Sequence, residues 1–120
     1  MTVLKEGPRT AEYLISEANG HLSRETGALA AGIAGELPAG SVLGKVTATG
    51  AYKLYDPAAV DGSQNVARIL FEAGGAGDVR TMTARASEVK ASKLTWFAGA
   101  TVNQIAAGVA ALAALNIIVR

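Results

Sequence analysis

Residues that break regular structure recur along the whole chain and limit the length of any helix or strand. Asn19-Gly20, Pro38-Ala39-Gly40, Asp56-Pro57 and Asp61-Gly62 each favour a turn, because Gly and Asn tolerate a positive φ whereas Pro fixes φ. The apolar runs between these turns are short and mostly of strand length. The pattern predicts a mainly β or α+β domain of short strands, and it does not fit a doubly wound α/β sheet.

Short apolar stretches between the turns are the strand candidates. In chain order they are 10–15, 28–34, 41–47, 51–55, 66–71, 79–86, 88–94 and 117–119. In the first candidate, the consecutive apolar residues Leu14 and Ile15 predict a strand that meets protein on both faces. Ala48-Thr49-Gly50 joins the third and fourth candidates and predicts a hairpin. The second candidate has no clear period and predicts at most a weak strand.

One helix is predicted, near the C-terminus. Thr101-Val102-Asn103-Gln104 has the pattern of a capping box, in which the Thr hydroxyl and the Gln amide each bond a free backbone N–H. The larger apolar residues that follow share one helical face: Ile105, Val109, Leu112 and Leu115. Asn116 then suits a left-handed helix cap that leads into the last strand.

The predicted helix and its C-terminal flank carry no charged residue between Thr101 and Val119, which is unusual for a helix on a free monomer. We therefore expect the helix to be covered by its own sheet and by a neighbouring subunit. The apolar stretch from Ile105 to Val119 is shorter than the about 20 residues of a membrane-spanning helix, and Asn116 interrupts it. The stretch predicts a core helix and no membrane partner.

Composition excludes several classes of function. The chain has 120 residues, enough for one domain with its own core, and no Cys, so it forms neither disulfides nor thiolate metal sites. Its single His excludes zinc sites built from several His ligands. A net charge of +1 and an aromatic content of 5% do not fit a nucleic-acid-binding surface.

Few residues suggest chemistry. His21 follows a turn, and its nearest acids in the sequence, Glu17 and Glu25, lie in ordinary polar contexts that do not indicate a general base. Asp56 and Asp61 share a loop that could bind a hard cation, but they lack the alternating ligands of a calcium loop and are more simply explained as turn caps. The glycines of 74–77 run into Asp78, whose charge repels phosphate. We predict no enzyme activity, no metal and no cofactor.

Charge is segregated in the second half of the chain. Residues 56–78 hold four acids against one Arg, whereas residues 80–93 hold four basic residues against one Glu. Segments of opposite charge can pair within one chain or between identical subunits of a ring. Trp96-Phe97, the largest aromatic pair, fits either a core plug or an interface anchor.

Several runs occur together in an order known from one protein family. They are TAEYLISEANG (10–20), AGSVLGKV (39–46), YDPAAVDGSQ (55–64), Glu88-Val89, Leu94-Thr95-Trp96 and LAALNIIVR (112–120). In this order and spacing, the chain resembles the head decoration proteins of tailed phages, the family of the phage lambda decoration protein D. The chain departs from the family pattern at 28–35, which is richer in Ala and Gly than a β-branched strand, and at Asn116, where Gly is expected.

The resemblance implies a β-clip-like small barrel with one C-terminal helix, and a capsid decoration (cement) protein that is not an enzyme. It implies a homotrimer, made in the host cytoplasm, that binds the major capsid protein at three-fold sites of the expanded head and stabilises the shell from its outer surface. It also implies a flexible N-terminal arm, residues 1–15, ahead of a single β-rich domain, residues 16–120. The capsid-binding positions that match this arm are Thr10, Ala11, Glu12, Tyr13, Leu14 and Ile15. Such an arm can add as a strand to a sheet edge of the shell.

Two other classes of function stay open from the sequence. A small β-domain can bind a small molecule or a glycan, in which case we expect a polar pocket and a monomer. A small hydrolase would use the loop of Asp56 and Asp61.

Overall fold

The computed structural model describes residues 6–120. They form ten β-strands, one α-helix (α1, Val102–Ala114) and a 3-10 helix at Ala91–Lys93. The strands are β1 (Leu14–Glu17), β2 (Arg24–Ala28), β3 (Glu36–Leu37), β4 (Val42–Lys45), β5 (Tyr52–Leu54), β6 (Val66–Leu70), β7 (Gly74–Gly75), β8 (Val79–Thr83), β9 (Ser87–Val89) and β10 (Ile117–Val119). The prediction of a mainly β domain with one C-terminal helix is confirmed.

The strands form three sheets. The largest has five strands in the order β2-β8-β6-β4-β5, and all of its pairings are antiparallel. The second has the order β1-β9-β10, in which β9 pairs antiparallel with β1 and parallel with β10. β3 and β7 form a two-stranded ribbon. Across residues 6–120 the sheets stay separate, so the small barrel expected from the resemblance is an open arrangement and not a closed one.

The sequence pattern located most of the central strands. β4 and β5 form the predicted hairpin, in which Lys45 lies opposite Tyr52 and Gly50 takes a φ of +72° in the connection. β6, β8, β9 and β10 overlap their predicted stretches. β2, β3 and β7 were not predicted. Two of these are only two residues long, too short for any period to show.

Two predicted strands are placed differently in the structure. Residues 10–13 form a turn, and the strand begins at Leu14, because Ala11 adopts a left-handed φ of +58° that is incompatible with a strand. Most of the candidate at 28–34 is not a strand. Its alanines and glycine have little preference for the pleated surface, and the Ile33 N–H closes a turn onto the carbonyl of Ala30 instead.

Buried apolar side chains form two cores that share strand β6. The first core contains Leu29, Leu37, Leu43, Tyr52, Leu70 and Met82. The second contains Tyr13, Ile69, Val89, Leu112 and Ile117. Ile69 and Leu70 are consecutive on β6, and successive strand residues point to opposite faces, so this strand contributes to both cores.

Helix α1 begins and ends as the sequence predicts. The Thr101 Oγ1 accepts a hydrogen bond from the Gln104 N–H, and the Gln104 Oε1 accepts one from the Thr101 N–H, which completes the capping box. Gly108 lies against the Trp96 ring, where a Cβ would be 2.3 Å from a ring carbon. Asn116 follows the helix in the left-handed region, with a φ of +61°. Within residues 6–120, no helix has the length and apolar content needed to cross a membrane.

Candidate interaction site

The N-terminal segment, residues 9–17, forms a turn that is followed by strand β1. The Glu12 N–H donates to the Arg9 carbonyl and the Leu14 N–H donates to the Ala11 carbonyl, which closes the turn. The Ala11 N–H donates to the Phe71 carbonyl at 2.8 Å, just after β6. The segment is therefore attached to the domain before β1 begins.

Tyr13 fixes this segment to the core. Its side chain is 1% exposed, and its hydroxyl lies 2.5 Å from the Thr83 Oγ1. The ring belongs to the same core as Ile69 and Leu112. Burial raises the pKa of the Tyr13 phenol well above its usual value, against a smaller opposite effect of the hydrogen bond to Thr83. Tyr13 is a core residue and is not accessible to a partner in this conformation.

Ion pairs hold the N-terminal segment at two places, Glu12 and Glu17. Lys93 Nζ lies 3.3 Å from a carboxylate oxygen of Glu12. The Arg24 guanidinium donates two hydrogen bonds to the Glu17 carboxylate, which also accepts one from the Ser23 hydroxyl at 2.6 Å. The bonds from Arg24, and secondarily that from Ser23, hold the pKa of Glu17 below its usual value against the opposing effect of burial. These contacts join the segment to β2 and to the 3-10 helix.

The outward side of the segment is accessible. Thr10 is exposed and Ile15 is 45% exposed, so within a single chain Ile15 is not covered by protein on its face of the strand. The pairing of β1 with β9 is irregular between Leu14 and Ser16, and a bulge of this kind re-aims the side chain within it. Among the described strands, β1 has a neighbour on one side only. Another chain can pair with such an edge strand.

A polar row crosses the exposed face of the same sheet. The Ser16 hydroxyl donates to the Glu88 carboxylate at 3.1 Å, and Arg120 donates to it at 3.2 Å. These two bonds, that from Arg120 first, lower the pKa of Glu88. Ile118 lies opposite Glu88 in the register and is partly exposed. The sheet therefore presents an ordered carboxylate beside the exposed side chain of Ile118.

The six predicted capsid-binding residues lie in one continuous segment but differ in accessibility. Tyr13 is buried, and its neighbours Ala11, Glu12 and Leu14 are half-buried, whereas Thr10 and Ile15 are exposed. Residues 1–5 of the predicted arm lie outside the described residues.

The loop of Asp56 and Asp61, the candidate metal or hydrolase site, is held by turn caps. The Asp56 Oδ1 accepts from the Ala58 N–H at 2.9 Å. The Asp61 Oδ1 accepts from both the N–H and the hydroxyl of Ser63, and its Oδ2 lies 2.5 Å from Lys53 Nζ. The bond from Lys53, followed by those from Ser63, lowers the pKa of Asp61 strongly. Both carboxylates are thus engaged in holding the loop.

The other residues that the sequence suggested for chemistry or charge pairing are exposed or make contacts with nearby residues. His21 is exposed in the connection between β1 and β2. The Gly75 N–H donates to Asp78 at 2.8 Å, so the glycine stretch binds its own acid. Arg80 pairs with Asp78 and lies 3.9 Å from Glu72, which confirms, for Arg80, that the charged segments pair within one chain. Among residues 6–120, no group of three His, Cys, Asp or Glu side chains could hold a metal ion.

An apolar groove beside β5 was not predicted from the sequence. It has a volume of about 830 Å³ and runs along the segment 30–34. Its larger apolar lining residues are Leu29, Ile33, Leu37, Val46, Leu54 and Phe97. The lining is mainly apolar, which differs from the polar pocket expected for a glycan. The sequence feature that relates to this groove is the Ala- and Gly-rich composition of 28–35, where the resemblance predicts a strand.

An open edge strand beside exposed apolar side chains is typical of a protein that attaches to the surface of another protein. The family model described as bacteriophage lambda head decoration protein D matches residues 3–117 of the chain. The chain therefore belongs to this family of structural phage capsid proteins. Membership implies a capsid decoration role, binding to the phage capsid and a location in the virion capsid. No curated protein matches the chain.

Proposed function

We propose that this protein binds as a homotrimer to the major capsid protein, at three-fold sites on the outer surface of the expanded phage head. Bound there, it stabilises the shell and catalyses no reaction. The observation that carries the proposal is the family match over residues 3–117. The Asp61 carboxylate argues against a hydrolase at this loop, because its two oxygens are engaged by Ser63 and by Lys53.

The capsid-binding part of the chain is residues 1–15, joined to a single β-rich domain at 16–120. Within this part, Thr10, Ala11, Glu12, Tyr13, Leu14 and Ile15 contribute in different ways. The buried Tyr13 ring anchors the segment, and half-buried Leu14 begins the edge strand. Thr10 and Ile15 make the side-chain contacts with the shell, because they are the exposed members of the set.

Strand addition supplies the binding energy. The open side of β1 offers main-chain hydrogen bonds to a sheet edge of the capsid subunit, and Ile15 offers apolar area. One such contact is weak on its own. Three contacts on one trimer make the second and third binding events intramolecular, which raises the overall affinity by roughly 10²–10⁴. A trimer that bridges neighbouring capsid subunits then favours the assembled shell by mass action.

The test is co-sedimentation of the protein with expanded and with unexpanded shells. We expect the wild type to bind expanded shells selectively and Ile15→Asp to bind them at least about tenfold more weakly, since a charge replaces a buried apolar contact. Leu22→Asp is the matched control, because Leu22 is also exposed and lies outside the segment. Deletion of residues 2–8 tests the preceding part of the arm and keeps Tyr13 in the chain.

Circular dichroism and light scattering check that each variant is folded and has the wild-type mass. If Ile15→Asp and the deletion variant both bind expanded shells as well as the wild type, the proposed role of residues 1–15 is wrong. If the wild type itself binds neither kind of shell, the capsid proposal fails as a whole.

A further inference from the structure

The loop between β5 and β6 is a rigid, preformed projection. Hydrogen bonds within the loop close its turns at Asp56 and at Asp61. The Lys53–Asp61 ion pair ties it to β5. Gly44 lies so close to Ser63 that a Cβ on the glycine would be 2.4 Å from the Ser63 carbonyl oxygen, so the loop is packed directly on β4. A loop held in this way loses little conformational entropy when it binds a partner.

The tip of this loop presents an apolar side chain to solvent. Val60 is 95% exposed, the highest value among the exposed large apolar residues of the described chain. The preceding tip residues Pro57, Ala58 and Ala59 are uncharged. The nearest charge, Asp61, is already paired with Lys53. The tip is therefore an uncharged apolar knob on a rigid base.

The apolar groove lies close to the base of the same loop, since Asp56 is one of its lining residues. Ile33, Leu54 and Phe97 supply apolar surface, and the segment 30–34 along it consists of small residues apart from Ile33. Of the two charged lining residues, Lys53 has its partner in Asp61, and Asp56 accepts a hydrogen bond from the Ala58 N–H. The groove can thus accept an uncharged tip without burying an unpaired lysine.

We infer that the Pro57–Val60 tip of one copy inserts into the apolar groove of a second copy, and that this contact forms the interface of the trimer. A knob and a groove at different places on one chain make a head-to-tail contact, and such contacts close into a ring when the rotation between copies is suitable. Because both features lie in the same region of the molecule, copies arranged around one axis can each use both. The inference rests on the proposed homotrimer and specifies the residues that form it.

The first test is the molar mass of the protein by light scattering and sedimentation over a range of concentrations. We expect Val60→Asp to raise the concentration at which the trimer dissociates by at least about tenfold, because the substitution places a carboxylate in an apolar groove. Leu22→Asp is the matched control, since Leu22 is 61% exposed and lies outside the groove, and Val102→Asp tests whether α1, where Val102 is 84% exposed, carries the interface instead. The control is expected to remain trimeric at wild-type concentrations. Circular dichroism shows whether each variant keeps its fold.

The second test is a disulfide cross-link, which is free of background because the natural chain has no Cys. Val60→Cys combined with Ala34→Cys, a groove position, is expected to give covalent trimers on a non-reducing gel. Ala34→Cys combined with Val102→Cys is expected to give none.

The outcomes separate this inference from the proposed function. A wild type that is monomeric at every concentration overturns both the trimer and its interface. A trimer that survives Val60→Asp and is not cross-linked through Val60 leaves the proposed function in place and overturns the interface. Loss of the trimer in Val102→Asp alone would place the interface on α1 instead.

Discussion

The Tyr13 hydroxyl lies 2.5 Å from the Thr83 Oγ1 inside the second core, and this bond links the N-terminal segment to β8. Both side chains are almost completely buried, so neither can turn to water if the other is lost. The pair therefore decides whether the segment stays attached to the domain.

Replacing Tyr13 with Phe is expected to lower the free energy of unfolding by about 1–2 kcal/mol, because the Thr83 hydroxyl loses its buried partner. Tyr13→Ala is expected to cost about 3–5 kcal/mol, since it also leaves a cavity. Urea unfolding measures both values. The double variant Tyr13→Phe with Thr83→Val should recover most of the first loss, as both polar groups are then gone. A Tyr13→Phe variant as stable as the wild type would contradict the role of the bond.

Low pH is expected to reduce the free energy of unfolding of the domain, partly through protonation of Glu17. Its pKa in the folded protein is below the ordinary value of 4.5, mainly because Arg24 donates hydrogen bonds to it. The unfolded chain therefore takes up this proton first, and the stabilisation is present above about pH 4.5 and is lost as the pH falls through the folded pKa. Glu17→Gln should reduce the dependence of the unfolding free energy on pH between about pH 5 and pH 3.

Substitution of Arg24, which donates the hydrogen bonds to Glu17, provides the control for this pH effect. Arg24→Gln should also reduce the pH dependence, because the hydrogen bonds that lower the pKa of Glu17 are then missing. Unfolding midpoints at a series of pH values compare the variants. If both variants keep the wild-type slope below pH 5, the Glu17–Arg24 pair is not a source of acid sensitivity.

The N-terminal cap of α1 is expected to contribute about 1 kcal/mol, so Thr101→Ala should lower the unfolding free energy by about that amount. The substitution leaves the Gln104 N–H without its side-chain acceptor. Thermal unfolding followed by circular dichroism measures the loss. Asn103→Ala, an exposed change in the same turn, should not destabilise the helix. Equal effects of the two changes would speak against the capping box.

Gly108 is expected to tolerate no side chain, although alanine is the better helix former. A Cβ at this position would be 2.3 Å from the Trp96 ring, so the ring must move, at a cost of about 1–3 kcal/mol. Gly32→Ala is the matched control, because an added Cβ there meets nothing within 4 Å. Trp96 fluorescence and chemical unfolding should change in the first variant only. Unchanged fluorescence and stability in Gly108→Ala would show that the ring does not pack on this glycine.

The features that could be predicted from sequence are those fixed by local chemistry. The capping box at Thr101, the left-handed cap at Asn116 and the hairpin joined through Gly50 each depend on a few neighbouring residues, and all three are confirmed. The turn caps of Asp56 and Asp61 belong to the same class.

The features that could not be predicted depend on distant contacts. Ala11 has no sequence signal for a left-handed φ, and its N–H bonds the Phe71 carbonyl, a residue far away in the chain. The burial of Tyr13 depends on Thr83, which is 70 residues away in the chain. The apolar groove likewise combines the segment 30–34 with Leu54 and Phe97, and no local pattern joins them.

Strand β6 is shared by the two cores, because Ile69 and Leu70 point into different cores. A substitution that disturbs the packing of one core is therefore expected to disturb the packing of the other. The domain should therefore melt cooperatively, in a single transition reported alike by Tyr52 on one side and Trp96 on the other. We therefore expect no partly unfolded state of this domain in which one core is lost and the other is kept.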